Sequence, residues 1–382
     1  MKARTVVYVQ YTSPAAYPPL QHSAAILAGA GWEVTVLGVT QPRVAGLQFA
    51  EHSRIHVKLF PTPPIGWRQK LHYFRFCLWA LSEIRRTRPD WVYASDTLSA
   101  PVAYCVSWFK WAMLVYHEHD TPEERHQSRF MRLLLTVRRR MLKRAQIVVV
   151  PNAERGQLLQ NAGVVGHNLL CVWNCPQSEE AAQTPQTDPH DAFTVIYHGS
   201  IVPARFPESV IQALALLPNV KLRLRGYGTA GHENYVDQLR ELARQLGVES
   251  RFDIKLVVPT RGALFDDVRT SDLGLSLMPR QTLDVNERNM TGASNKAFEY
   301  LAQGIPLLVS DMPDWRHMFV ESGVARACCP EDHENVAATI AWFADHQAEA
   351  RQMGERGRQL VLAKWNYEQQ FAPVLRRMST AS

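Results

Sequence analysis

Ser294-Asn-Lys-Ala-Phe-Glu-Tyr-Leu-Ala-Gln-Gly-Ile-Pro-Leu-Leu-Val-Ser310 decides the fold. With the residues before it, it reads as a polar loop over Asn289–Ser294, a helix opening near Asn295, a glycine stop at Gly304 and a buried strand after Pro306. Backbone amides at a helix start, at the positive end of its dipole, form a site for a diphosphate. Lys296 stands in the first turn, where the dipole disfavours a cation unless an anion is bound beside it. Glu299 follows one turn later, where a carboxylate can accept hydrogen bonds from the vicinal hydroxyls of a ribose. A surface helix with a solvated Lys/Glu pair is the plainer reading of the same string.

The strand-then-helix rhythm extends outward over the whole chain, which is the signal for βαβ units and parallel sheets. Strands are expected at Phe193–His198, Val220–Arg225, Arg251–Val257, Asp272–Leu277, Ile305–Ser310 and Val324–Cys328, with helical segments between them. A second series runs Thr5–Tyr11, Trp32–Leu37, Arg54–Phe60, Trp91–Ala94, Met113–Tyr116 and Ile147–Val150. Between the two lies QSEEAAQTPQTDPHD, Gln177–Asp191, polar and proline-bearing, which reads as an exposed linker. Two α/β domains follow, 1–176 and 192–364, joined by 177–191; 365–382 forms a C-terminal helix that can cross back onto the N-terminal domain. A length of 382 residues suits two cores rather than one.

Composition excludes several classes. An apolar fraction of 46% with 20% charged residues belongs to a folded globular protein. The six cysteines show neither zinc-ligand spacing nor a disulfide framework and suit a reduced cytosol. No run approaches the roughly 20 apolar residues that span a bilayer, and no export signal precedes the first strand. Charge is divided unevenly: residues 1–176 hold 21 Lys and Arg against 10 Asp and Glu, and the remainder 21 against 26. An anionic partner is therefore expected on the N-terminal half.

The string K-x-x-E-Y-L-A-x-G-x-P over Lys296–Pro306 resembles the donor-site motif of retaining family 4 glycosyltransferases, the group 1 type with the GT-B fold. The resemblance implies two doubly wound Rossmann-like domains facing each other across a cleft, with Glu299 on the ribose of a nucleotide sugar. Around the donor it sets Thr291, Gly292, Ala293, Ser294, Asn295 and Lys296. His198-Gly-Ser-Ile-Val-Pro-Ala-Arg205 resembles the first donor-domain loop, where an Arg directly after the glycine and a Lys five residues on grip the diphosphate. Here Gly199 is followed by Ser200, and Arg205 takes the Lys place, where a guanidinium can hold phosphate oxygens bidentately. Leu224-Arg-Gly-Tyr-Gly228 follows in the family's order, and Gly226 and Gly228 let the backbone approach the nucleotide. One departure concerns the sugar: the Glu that the family commonly carries eight residues before Glu299 is Thr291 here, with Glu287 out of register.

In the N-terminal domain, Val115-Tyr-His-Glu-His-Asp-Thr-Pro-Glu-Glu124 leaves a strand at the edge where ligands bind. Its two imidazoles and its carboxylates would also suit a metal ion, but adjacent residues rarely converge on one ion and no distant Cys/His cluster completes a set. Family members with a similar segment turn its His toward the transferred sugar, which makes His119 and Asp120 the catalytic candidates; capping of a helix starting near Thr121-Pro122 is the bland alternative. Asp96 after Trp91–Ala94, and Tyr17-Pro18 in the first strand-to-helix loop, are the acceptor-side candidates. Trp67, Leu71, Phe74, Leu78 and Leu81 recur at helical spacing among Arg68, Lys70, Arg75, Arg85, Arg86 and Arg88, and a second basic stretch covers Arg129–Arg144. This pattern fits an anionic lipid surface, or a core stripe with solvated arginines; nucleic acid is not expected, because no binding module accompanies the charge.

The resemblance implies transfer of a hexose-type sugar from a UDP- or GDP-sugar to a glycan or lipid-linked acceptor, with retention. A role in cell-envelope polysaccharide biosynthesis suits the basic half, in the cytoplasm or peripherally on the inner face of the plasma membrane. Cationic side chains and amides would neutralise the leaving group, so no metal and no cofactor beyond the donor are expected. The rivals are a secondary-metabolite glycosyltransferase, a GT-B epimerase or sugar phosphorylase, and a catalytically impaired nucleotide-sugar-binding partner subunit, for which Thr291 and Ser200 speak.

Overall fold

Residues 3–41, 47–49, 51–64, 66–122, 127–183, 192–229, 231–256, 258 and 260–381 are described by a computed structural model. The chain forms two compact units, Met1–Asn174 with Tyr367–Ser382, and Cys175–Asn366.

The first unit is built on seven parallel strands: β1 (Thr5–Val9), β2 (Glu33–Val39), β3 (Ile55–Phe60), β4 (Trp91–Ser95), β5 (Met113–His117), β6 (Ile147–Val150) and β7 (Leu169–Cys171). Their order is β3-β2-β1-β4-β5-β6-β7, with Val6 paired to Val34 on one side and Trp91 on the other. The central strands are runs of β-branched and aromatic residues, as a sheet covered on both faces requires. The cover comes from α1 (Pro18–Gly29), α2 (Arg68–Thr87), α3 (Ala100–Phe109), α4 (Arg129–Leu142) and α5 (Ala153–Asn161). Strand order reverses between β1 and β4, and the loops carrying Tyr17, Asp96 and His119 leave the carboxyl ends of β1, β4 and β5. That edge is where open parallel sheets bind ligands.

The second unit repeats the plan with β8 (Phe193–Ile201), β9 (Val220–Gly228), β10 (Phe252–Lys255), β11 (Leu273–Ser276), β12 (Leu307–Ser310) and β13 (Ala325–Cys328), in the order β10-β9-β8-β11-β12-β13. Its helices are α6 (Ser209–Ala215), α7 (Tyr235–Gln245), α8 (Arg261–Arg269), α9 (Val285–Arg288), α10 (Asn295–Ala302), α11 (Pro313–Trp315), α12 (His333–Asp345) and α13 (Gln347–Ala363). The last helix, α14 (Tyr367–Thr380), belongs to the first unit. It buries Tyr367, Phe371, Val374 and Met378 among Val6, Tyr8, Trp91 and Tyr93, on the sheet face that α1 also covers.

Three details differ from the sequence reading. β7 was not expected; it is three residues long and ends on Cys171, too brief to show a pattern. β8 and β9 run on to Ile201 and Gly228, because Gly199 and Gly226 pair across them. The stretch read as an exposed linker is bound to the second unit over Gln177–Gln183: Ala181 and Ala182 are buried, Ala182 N–H donates to Ala302 O at 2.9 Å, and Arg358 Nη1 donates to Ala182 O at 3.0 Å. The rest of that stretch, 184–191, lies outside the described residues.

Candidate functional site

The sequence candidates fall into two groups, one in each unit. In the second unit α10 opens at Asn295, as its sequence demands, and no side chain among the described residues caps it: the Ser294 hydroxyl is buried without a hydrogen-bond partner among them. Lys296, one residue into the helix, is buried, with Nζ 5.5 Å from the centre of the Tyr197 ring. Gly199 passes over it at φ +113°, and a Cβ there would lie 2.9 Å from Lys296 Cε and 3.2 Å from Nζ. Burial lowers the Lys296 ammonium to about 7, and the nearby Arg205 charge pushes the same way. A buried, half-discharged amine at the start of a helix is a group waiting for an anion.

Glu299 lies one turn on, also buried. Its Oε1 accepts from Asn295 Nδ2 at 2.9 Å and from Arg261 Nη1 at 3.0 Å. Arg261 in turn donates through Nε to Glu180 Oε1 at 2.6 Å. Burial, the largest single influence, raises the Glu299 carboxyl; Arg261 and then His198 outweigh it, and the net direction is down. His198 Nε2 stands 3.3 Å from Glu299 Oε2, but burial takes the imidazole down to about 4, so at neutral pH the contact is not an ion pair. Glu299 Oε2 has no hydrogen-bond donor among the described residues, which leaves acceptor capacity on a carboxylate held by a guanidinium.

Arg205 Nη1 donates to Ser200 Oγ at 2.9 Å, so the two residues of the first loop act on each other. They share a pocket of about 530 Å³ with Tyr227, Thr229, His232 and Glu287. Gly226 serves the backbone: a Cβ on it would lie 1.9 Å from Gly199 O. Gly228 has open space beside it. Thr291, where the family's Glu is expected, hydrogen-bonds through its hydroxyl to Asp314, and Gly292 takes φ +77° in the turn through Ala293 that leads to Ser294.

In the first unit, three of the four successive ionisable residues are buried, and Asp120 alone is exposed. His117 and His119 lie with ring centres 3.8 Å apart, Tyr93 OH is 2.8 Å from His117 Nδ1, and the Tyr17 ring is 5.5 Å from that of His119. Neither nitrogen of His119 has a hydrogen-bond partner among the described residues, and burial lowers its imidazole to about 4. Asp96 Oδ1 accepts the His119 N–H at 2.9 Å, and burial, with the Asp120 charge second, lifts the Asp96 carboxyl to about 7. Asp96 sits at φ +62°, a conformation that costs an ordinary residue roughly 1–3 kcal/mol and is held here by that bond and by its own N–H on His117 O at 2.9 Å. Pro18 opens α1 as its first helical residue. Residues 123–126, where the expected helix near Thr121-Pro122 would run, lie outside the described residues; α4 opens at Arg129, capped by Ser128 Oγ, which accepts the Met131 N–H at 3.2 Å. Glu118 is spent on Arg138 in a buried pair. Glu123 and Glu124 lie outside the described residues, and among those described no cluster of three His, Cys, Asp or Glu could hold a metal ion.

His198, Arg261 and Glu180 were not singled out from sequence. His198 stood at the head of a quoted motif, but its role depends on β8 being brought beside α10.

Comparison with known proteins bears on the family and the fold. The glycosyl transferase 4-like domain profile matches residues 19–174, and the glycosyl transferase-like profile matches residues 208–376. No curated protein matches in sequence. Among solved structures, HepE from Anabaena, determined with UDP and glucose, superposes with a TM-score of 0.71 at 17% identity over 99% of this chain and 100% of its own. The sucrose-phosphate synthase of Thermosynechococcus elongatus gives 0.73 at 18% identity, over 99% and 100%. WaaG, a glycosyltransferase involved in lipopolysaccharide biosynthesis, gives 0.67 at 12%, over 100% of both chains. With a glycosyltransferase profile on each unit and whole-chain likeness to two-domain enzymes of this architecture, the chain belongs to the GT-B glycosyltransferases of the group 1 type.

Proposed function

We propose that this glycosyltransferase moves a hexose-type sugar from a UDP- or GDP-sugar to a glycan or lipid-linked acceptor with retention, in cell-envelope polysaccharide biosynthesis at the inner face of the plasma membrane. The observation that carries the donor half is the uncapped start of α10 with buried Lys296 and the Arg261-held Glu299 beside it. The diphosphate lies against the helix amides, Lys296 and Arg205; the ribose hydroxyls donate to Glu299. HepE, of the same fold, is known with UDP, which supports a uridine donor.

The bond from the anomeric carbon to the β-phosphate oxygen breaks and a bond to the acceptor oxygen forms on the same face. The acceptor proton passes to the departing phosphate. Negative charge grows on the leaving diphosphate, and fixed cations and amides stabilise it without reorganising. His119, neutral and with both nitrogens unpaired among the described residues, hydrogen-bonds the transferred sugar, and Asp120 and Asp96 fix its segment. This assignment leaves neutralisation to the protein, so transfer persists in EDTA. The test is transfer of labelled sugar from a panel of UDP- and GDP-sugars, with the anomeric configuration of the product read by NMR. A donor panel with neither binding nor turnover overturns the reading.

A second reading is a nucleotide-sugar-binding partner subunit without turnover. Thr291 favours it, because its hydroxyl is engaged by Asp314 where the family's sugar-contacting Glu is expected. Tight donor binding with no transfer to any acceptor would select it.

A further inference from the structure

Helix α2 carries two apolar stripes, and only one of them belongs to the core. Tyr73, Phe76, Cys77, Ala80 and Ile84 face the sheet and are buried. Trp67, Leu71, Phe74 and Leu78, spaced by four, three and four residues, lie along one line on the opposite side and are 76%, 54%, 59% and 52% exposed. A second such residue line is not needed to hold the helix down, and large apolar side chains grouped in the open mark a binding surface.

The charges beside this stripe select its partner. Arg68, Arg75 and Arg86 run along one flank of it at helical spacing, and Lys70 stands on the other with Nζ 5.8 Å from the Phe130 ring of α4. Arg68 and Arg75 have no ion pair among the described residues; Arg86 pairs with Glu83. Phe130 also meets Tyr73, ring centres 5.6 Å apart, so the first turn of α4 adjoins α2 and adds Leu133, 60% exposed, with exposed Arg129 and Arg132. Trp, Phe and Leu bordered by Arg and Lys is the chemistry of an anionic bilayer surface, where rings enter the headgroup layer and cations meet lipid phosphates.

The stripe is also placed where an acceptor is needed. On α2 the adjacent His72 Nδ1 is 2.8 Å from Tyr11 OH, just beyond the carboxyl end of β1, and Tyr73 OH donates to Leu98 O at 2.8 Å, just beyond that of β4. The exposed stripe therefore starts at the sheet edge from which Asp96 and His119 project. Resting on the transferase reading, we infer that the outer face of α2, with the first turn of α4, docks on an anionic bilayer and that the acceptor is drawn from that bilayer as a lipid-borne molecule.

The test is co-sedimentation of the full chain with vesicles of phosphatidylglycerol and phosphatidylcholine, and of phosphatidylcholine alone. Trp67→Ser/Phe74→Ser and Arg68→Glu/Arg75→Glu variants are run beside the wild type, with UDP affinity measured on each. Binding confined to the anionic vesicles, weakened tenfold or more in both variants and by raised salt, with UDP affinity unchanged, is the expected result. Wild type failing to bind anionic vesicles, or variants binding as well as wild type, overturns the inference. So does light scattering that shows a dimer abolished by Trp67→Ser/Phe74→Ser, since the stripe would then be a contact between copies. Vesicle binding with affinity for neither UDP nor GDP in the wild type would fail the transferase reading and leave the docking surface standing.

Discussion

Burial takes the Lys296 ammonium down to about 7, so at pH 8 most empty molecules hold it as the neutral amine. A diphosphate beside Nζ favours the charged form, so UDP binding takes up a proton and weakens as the pH rises above about 7. Calorimetry in two buffers of different ionisation heat would read that uptake, and Lys296→Met should flatten the dependence; a proton-neutral wild type would count against the placement. Glu299→Gln removes the negative acceptor, and UDP affinity should fall about 10- to 100-fold, the usual cost of a lost charge-assisted bond. Arg261→Gln acts through Glu299 and tests their coupling. In the native chain the Glu299 carboxyl is held down, so its contribution to stability is present at neutral pH and lost on acidification. Without the guanidinium, burial lifts it above its unfolded value, and stability is lost as the pH rises instead. The variant should approach wild type only in acid, below the ordinary carboxylate range where the wild-type Glu299 is itself protonated, and be less stable by about 2 kcal/mol at pH 8 once part-exposure of Arg261 is discounted. Lys296 and Glu299 were legible because helical spacing alone sets them at one helix start. Arg261, His198 and Glu180 were not, because Arg261 and His198 reach Glu299 from the start of α8 and from within β8, and Glu180 acts on it through Arg261.

Strands showed themselves wherever burial on both faces made a continuous apolar run, as in Ile147–Val150 and Leu307–Ser310. They went unseen where the run was three residues, as in β7. Helix α4 opens where Ser128 forms the cap, while 123–126, where a helix starting near Thr121-Pro122 would run, lie outside the described residues. The Gly199–Gly226 pair offers the element-scale test. The two strand ends approach so closely that Gly226→Ala would set a methyl into the Gly199 carbonyl. Backbone cannot rotate aside as a side chain does, so β8 and β9 must part at the loop that leads to Arg205. A stability loss of roughly 1–3 kcal/mol by urea unfolding should come with weaker UDP binding. A variant that loses neither would show that the strand ends tolerate separation.

At the scale of the molecule, every residue proposed for the donor lies in Cys175–Asn366 and those proposed for the acceptor lie in the other unit. UDP at ~100 times its dissociation constant should stabilise the second unit by about 2.7 kcal/mol. Scanning calorimetry should accordingly show one transition moved upward and the other left near its place; a rigid upward shift of both would mean that the units unfold as one. The order of synthesis gives the first unit a distinct fate in the cell. Tyr367, Phe371, Val374 and Met378 fill its sheet from α14, yet all of Cys175–Asn366 is translated between them and the strands they cover. At ~5–20 residues per second the ribosome leaves Tyr8, Trp91 and Tyr93 without their final covering for tens of seconds, while the neighbouring unit is already able to fold. A nascent chain of this enzyme thus presents chaperones with a greasy sheet face that only its own last helix can retire.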